Sequence, residues 1–377
     1  MLKKVYISNV NCITPLGFDV ETNIDNITKG ITGIQKHEDK SLMKDSFCAS
    51  IVNENDVDEA FAKVTSEGKF TKLEKMMILA LFPIVNEVEI TDKTAFLLST
   101  TKGNIEALKN KSDESIEEAH LGTLAKRIAN FFGFKTKPIV VSNACVSGVL
   151  AISVAKRLIQ SEMYNDAFVV AGDIVSEFVL SGFNSFQAMS NEPCRPYSKN
   201  RTGVSLGEAT AAVLVTSNRE NAKVVILGDG SINDANHISG PSRTGEGLVR
   251  SIESAMKEAN IDSNSINYIS AHGTATPFND EMEAIAFSRI GLENTPVNSL
   301  KGYYGHTLGA SGLLEVVIGI QSLLHNKLFA SLGFDEMGVS KPINIIEKTE
   351  NKELNCFLKT ASGFGGCNTA VIFEKIK

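Results

Sequence analysis

The 377-residue chain has no tryptophan, and its phenylalanines and tyrosines bring aromatic content to only 7%. Proline (9) and glycine (29) are too few for a collagen-like or low-complexity chain. None of the six cysteines (Cys12, Cys48, Cys145, Cys194, Cys356, Cys367) belongs to a CxxC pair. A zinc ribbon or thioredoxin-type motif is therefore excluded, and free thiols with no metal are expected. No uninterrupted apolar run approaches the roughly 18 residues that cross a bilayer, so no membrane span is expected. The N-terminal MLKKVYISNVNCITPLG is broken by Asn9 and Asn11 and alternates like a strand, which points away from a signal peptide and toward a cytoplasmic protein. Lys plus Arg (37) is outnumbered by Asp plus Glu (44), a net charge of −7, so the positive field of a nucleic-acid binder is missing. No P-loop or HExxH occurs. The glycine cluster 363–366 is not a dinucleotide fingerprint, because Asn368 stands where the third glycine belongs.

What remains is an ordinary globular balance, 43% hydrophobic and 21% charged. The length suits about two domains of roughly 150 residues or one two-lobed body. Strand-like and helix-like segments alternate: strands at 3–9, 94–99, 138–141, 166–171, 211–216, 224–230, 266–271 and 369–373, and helices at 20–29, 71–88, 121–132, 247–259, 281–290 and 309–325, with a further helix ending at 160. Continuous apolar strands between helices predict an α/β protein whose sheets are covered on both faces. A weak repeat links Ser147-Gly-Val-Leu-Ala-Ile-Ser-Val-Ala155 to Ser311-Gly-Leu-Leu-Glu-Val-Val-Ile-Gly319, and Ala211–Val215 to Thr369–Phe373 in the same order. It predicts two similar halves, 1–220 and 221–377, fused without a flexible linker. The polar run Lys109–Glu118 reads as a surface excursion.

Four segments carry candidate chemistry. In Ile139-Val-Val-Ser-Asn-Ala-Cys145-Val-Ser-Gly148 a strand runs into a helix, and the thiol at the junction meets unpaired N–H groups and the positive helix end, which favour thiolate. Gly148 clears space one turn in for a neighbouring helix. In Ile269-Ser-Ala-His272-Gly-Thr274-Ala-Thr276-Pro277 a histidine ends a strand, and two hydroxyls follow that can bond an extended polar ligand. In Lys301-Gly-Tyr-Tyr-Gly-His306-Thr-Leu-Gly-Ala-Ser-Gly312 a glycine-rich loop brackets a histidine before an apolar helix, with a lysine near enough to reach back. In Ser362-Gly363-Phe364-Gly365-Gly366 an aromatic sits on a turn that can open N–H groups to a ligand. Each segment also has a plain structural reading; jointly they describe thiol-based acyl chemistry.

In the segments NACVSG, HGTATP, KGYYGHTLGASGLLE and SGFGGCN, in that order, together with RPYSKNRTGVSLGEATAAVLV and ITPLG, the chain resembles a β-ketoacyl-(acyl carrier protein) synthase of the elongating type, a condensing enzyme of the thiolase superfamily. The resemblance implies a thiolase-like five-layered α-β-α-β-α sandwich built from two duplicated halves, usually a homodimer. It implies that Cys145 takes an acyl chain from the phosphopantetheine arm of an acyl carrier protein, with no other cofactor. Malonyl thioester is then decarboxylated and its carbanion condenses with the acyl group. By the same resemblance His272 and His306 are donors to the enolate oxyanion through neutral Nε2 groups, and Lys301 holds a histidine in place. The N–H groups of Cys145 and Phe364 receive the second oxyanion, with Gly363 in the same turn and Phe364 as gate. Thr274 and Thr276 bind pantetheine, and Asp280 and Glu315 support.

The chain departs from the family at Val146, at Thr360-Ala361-Ser362 (where Asn-Ser-Phe is common), and in a short stretch between Lys102 and Pro138. A basic cluster, Lys63, Lys69, Lys72 and Lys75, offers a docking surface for an acidic carrier protein. Alternatives are a non-condensing partner subunit that shapes the pocket of a synthase heterodimer, and a decarboxylase or thioesterase that forms no carbon–carbon bond. Retention of Cys145 beside His272, Lys301 and His306 favours the condensing enzyme.

Overall fold

The computed structural model describes residues 3–235 and 240–376. Ten strands form one continuous hydrogen-bonded sheet: β1 (Tyr6–Ile13), β2 (Thr94–Ser99), β3 (Ile139–Val141), β4 (Asp166–Asp173), β5 (Ala209–Thr216), β6 (Val224–Asn233), β7 (Tyr268–Ser270), β8 (Val297–Asn298), β9 (Cys356–Gly363) and β10 (Cys367–Lys375). Their spatial order is β8-β7-β9-β10-β6-β1-β5-β4-β2-β3. Each run of five consecutive strands takes the same order, third-second-fourth-fifth-first. The pairings match in sense as well. First–fifth and fifth–fourth are antiparallel, and fourth–second and second–third are parallel. The two fives join edge to edge where Tyr6 and Ile7 pair with Val225 and Val224. The short sequence matches thus fall on equivalent elements: Ala211–Val215 in β5 and Thr369–Phe373 in β10 are both fifth strands.

Burial on both faces is written into the strands. In β4, Val169 enters a central core and Val170 an outer one; in β9, Phe357 enters the central core and Leu358 the opposite outer one. The outer layers are α2 (Lys72–Val85) with α3 (Leu121–Phe132) on one side and α6 (Glu246–Ala259) with α7 (Pro277–Arg289) on the other. Between the two five-stranded halves of the sheet lie α1 (Val20–Thr28), α4 (Ser147–Gln160) and α8 (Ser311–His325). These are the five layers of a thiolase-like sandwich, while α5 (Glu177–Ser185) packs in a smaller cluster with Val204 and Leu206. Helix starts are fixed locally: Asp19 caps α1, and Thr71 with Glu74 forms a capping box on α2. α2 accommodates Pro83 and stops at Val85, short of the expected 88.

The polar run 109–118 lies mostly on the surface, as expected, and carries elements of its own: a 3₁₀ segment covers Ile105–Asn110, and a helix at Asp113–Ala119 is capped reciprocally by Ser112 and Ser115. Leu308–His325 is long and apolar enough, with mean hydropathy 1.4, to pass for a membrane span, but 89% of it is buried. It is the central core helix.

α4 and α8 meet at glycine. A Cβ at Gly148 would lie 2.8 Å from Gly309 O and from Leu313 N; one at Gly312 would lie 2.8 Å from Val149 N. Because the obstructing atoms are backbone, they cannot yield as a flexible side chain would. Gly148→Ala is expected to force the helices apart, cost about 1–3 kcal/mol and lower the thermal midpoint; an unchanged midpoint would contradict this packing.

Candidate active site

The crossing of α4 and α8 brings together the two segments that precede them. Between β3 and α4 the chain turns through Ala144, whose φ of 44° is left-handed and costs a non-glycine residue about 1–2 kcal/mol. Ser147 Oγ secures the turn, accepting the Asn143 N–H at 2.7 Å and donating to Ala144 O at 2.6 Å. Before α8, Ser311 Oγ likewise accepts the N–H of the residue four positions back, Thr307, at 3.0 Å. Cys145 Sγ thereby lies 3.1 Å from His306 Nε2.

Only part of the expectation of a readily ionised thiol survives. The helix start does favour thiolate, but burial outweighs it and pushes the Cys145 thiol up to about 12; the charge of Lys301 acts in the opposite, lowering sense. His306 is held well below the usual imidazole range, first by burial and then by the charges of Lys301 and Lys359. Its Nδ1 accepts the Leu308 N–H at 3.2 Å and lies 3.0 Å from Ser311 Oγ. A backbone N–H can only donate, so the ring proton resides on Nε2, facing the sulfur.

His272 sits where β7 ends. Its backbone N–H donates to Glu283 Oε1 at 2.8 Å and that of Gly273 to Oε2 at 2.6 Å. Lys301 Nζ lies 3.4 Å from His272 Nδ1, donates to His272 O at 2.5 Å and pairs with Glu315 Oε1 at 2.8 Å. An ammonium only donates, so here too the ring proton belongs on Nε2. The two imidazoles cross at 84° with centroids 5.2 Å apart. Cys145, His272 and His306 offer donor atoms within 4.8 Å of one another, the pattern of a metal site. Protons on both Nε2 atoms oppose coordination there and suit hydrogen-bond donation instead.

These three residues line a cavity of about 430 Å³ together with Thr274, Thr276, Gly363 and Phe364. The hydroxyls of Thr274 and Thr276 are 2.8 Å apart. At Gly363 a Cβ would lie 3.1 Å from Cys145 N, so glycine is what lets the β9–β10 turn approach the nucleophile's backbone. Phe364 packs on Phe183 and Phe186, with centroids 6.0 and 5.4 Å away; Phe183 also meets the His306 ring edge-on. Lys301, Asp280 and Glu315 stand behind the cavity wall. Asp280 accepts the N–H groups of Thr274 at 3.0 Å and Tyr197 at 2.7 Å, and burial pushes its carboxyl up to about 7. At the altered positions, Ser362 Oγ lines the cavity and donates to Asn368 Oδ1 at 2.8 Å, while Thr360 Oγ1 donates to Glu283 at 3.3 Å. Val146 is fully buried.

Sequence reading missed three buried charges. Glu283 lies one turn after Asp280 on α7, and that spacing was a usable signal. Asp173, at the end of β4, accepts N–H groups from Thr101, Lys102 and Gly309, tying three loops together. Lys359 lies in the middle of β9. Two members of the basic cluster are engaged within the chain, Lys72 with the buried Glu208 at 2.6 Å and Lys75 with Asp58 at 2.6 Å, while Lys63 and Lys69 are exposed.

Comparison with known proteins agrees over the full chain. The family model "Beta-ketoacyl synthase, N-terminal domain" matches residues 2–221, and "Beta-ketoacyl synthase, C-terminal domain" matches 224–335. A 3-oxoacyl-[acyl-carrier-protein] synthase 2 of Vibrio harveyi is 28% identical over 99% of both chains, and one of Staphylococcus aureus strain N315 is 26% identical over 100% of this chain and 99% of its own. The Vibrio alignment occupies 421 positions, so that relative carries residues this chain lacks. Among solved structures, a ketosynthase from Xenorhabdus doucetiae, in complex with its chain length factor, superposes with a TM-score of 0.83 at 25% identity, over 99% of this chain and 98% of that one. A β-ketoacyl synthase from Burkholderia phymatum shares the fold at a TM-score of 0.89 and 22% identity, over 100% of both chains. With both halves matched, this chain belongs to the beta-ketoacyl synthase family.

Proposed function

We propose that the protein is an acyltransferase that extends an acyl chain by decarboxylative condensation, with the acyl and malonyl groups delivered on the phosphopantetheine of an acyl carrier protein. One observation carries the reading: a cysteine at a helix start faces two imidazoles, both with Nε2–H directed at one apolar chamber. In the first half-reaction Cys145 Sγ attacks the thioester carbonyl of the acyl carrier, and the carrier leaves as its thiol with the cysteine's proton. Backbone N–H groups of Cys145 and Phe364 receive the oxyanion in this reading, which draws support from the close approach of the Gly363 turn to Cys145 N. In the second, malonyl thioester loses carbon dioxide. The enolate oxygen accepts the Nε2–H groups of His272 and His306, and its carbon attacks the acyl carbonyl. The Cys145–acyl bond breaks, releasing a 3-oxoacyl carrier two carbons longer, and the departing thiolate takes up a proton from solvent to restore the thiol.

Neutral donors suit this task, since they stabilise a developing anion by hydrogen bonding, and burial with two lysine charges holds His306 well below the usual imidazole range. Lys301 orients His272, Thr274 and Thr276 offer hydroxyls to the pantetheine amides, and Phe364 gates the entrance. The acyl carrier protein as partner draws support from the curated relatives, which are named for that substrate. A pairing with a second synthase subunit draws support from the Xenorhabdus ketosynthase, solved with its chain length factor. The complete Cys–His–His–Lys set favours the condensing role over that of a pocket-shaping partner. A homodimer in the cytoplasm is the simplest arrangement that the family resemblance implies.

Intact-mass analysis with acyl and malonyl carrier thioesters tests the reading. The wild type should show an acylated enzyme and a carrier-bound product two carbons longer, and Cys145→Ala neither. Acylation of the Ala variant, or acylation without extension by the wild type, would refute it. His272→Ala should slow malonyl decarboxylation about 10²–10³-fold, the effect of losing one oxyanion donor; a rate near wild type would remove it from that role. Because burial holds the Cys145 thiol at about 12, the free enzyme's thiolate fraction grows with pH. Alkylation by iodoacetamide should rise about tenfold per pH unit through pH 7–9; a plateau below pH 8 would contradict the raised thiol.

A further inference from the structure

Behind His272 lies a second ammonium. Lys359 lies in the middle of β9, where it pairs with Ser270 of β7, just before the chain reaches His272. It is fully buried. Its Nζ lies 2.6 Å from Glu315 Oε2 and donates to Ser270 O at 3.1 Å and Ala271 O at 3.3 Å. Lys301 takes the other oxygen of the same carboxylate. Burying two ammonium groups is costly without specific partners, so this arrangement has to be explained.

The charges balance. Lys301 and Lys359 are matched by Glu315 and Glu283, all four buried, and beside them the buried Asp280 faces Arg201 at 3.7 Å. Lys301 comes from the short helix Lys301–Tyr304, Glu315 from α8, Glu283 from α7 and Lys359 from β9. The group surrounds the histidine and the carbonyls that precede it. Without Lys359, Glu315 keeps one ammonium and the cluster acquires a net negative charge, on the side of His272 away from the chamber. Such a charge disfavours an enolate in front of the ring and attracts a proton to the imidazoles.

We propose that Lys359 is a positioning residue for the decarboxylation step: its ammonium holds Glu315 against Lys301 and ties the Ser270–Ala271 carbonyls, so that His272 faces the chamber as a neutral donor. This assignment rests on the condensing reading above. Lys359 touches no cavity surface, so its effect falls on turnover and not on substrate affinity.

The test measures malonyl-carrier decarboxylation against pH for wild type, Lys359→Met and Lys359→Ala, with Cys145 acylation followed by intact mass. The Met variant should lose about 10- to 100-fold in kcat, less than removal of a direct donor, with KM unchanged. Its acid limb should move to higher pH, because losing a nearby cation makes imidazole protonation easier and a protonated His306 must give up the Leu308 N–H bond. In the Ala variant, methylammonium should restore turnover by filling the place among the Glu315, Ser270 and Ala271 oxygens. Turnover of Lys359→Met within about twofold of wild type overturns the assignment. So does a loss with an unmoved acid limb and no methylammonium rescue, which marks a merely structural lysine. A wild type that acylates Cys145 but leaves malonyl carrier intact overturns the condensing reading, and the positioning role with it.

Discussion

The site depends on how closely two helices can approach. α4 and α8 cross at Gly148 and Gly312, where a single added carbon on either side would press on backbone atoms at 2.8 Å. The crossing fixes the separation of the two helix starts, and with it the 3.1 Å between Cys145 Sγ and His306 Nε2. The two starts are built alike, each with a serine that accepts an N–H from four residues back. Duplication of one strand–helix unit has thus supplied both the nucleophile's turn and a histidine's turn, facing each other across a local pseudo-symmetry.

Around this crossing, buried carboxylates organise the loops. Asp173, Asp280 and Glu283 each collect backbone N–H groups, and Glu315 joins two lysines. Left-handed residues cluster in the same loops: Ala144 before the cysteine, Ala275 between the two threonines, and Leu308 after His306. Such conformations persist where surrounding bonds over-determine them. Here the reward is directional: at Leu308 the strained backbone aims an N–H at His306 Nδ1 and so sets the tautomer.

Local signals carried far in the sequence. Strand β2 (Thr94–Ser99) and helix α3 (Leu121–Phe132) fall where hydrophobic pattern places them, because burial on both sides leaves long apolar runs. Cys145, His272, Lys301 and His306 were legible as motifs, and Gly148 as a packing residue. What was not legible depends on long-range neighbours. Lys72 looked free because its partner, Glu208, lies 136 residues away in the chain. Lys359 carried no local signal, since the carboxylate it pairs with comes from α8, in another layer. The thiol's acidity was misjudged because a helix start is visible in sequence and the burial that outweighs it is not.

Nitrogen-15 NMR of the imidazoles measures the central claim most directly, with histidine variants to assign the signals. The structure predicts that His306 keeps its proton on Nε2 and stays neutral as pH falls from 8 to 5, since burial and two lysine charges oppose protonation. A proton on Nδ1, or titration near the ordinary imidazole value of about 6.5, would contradict the account.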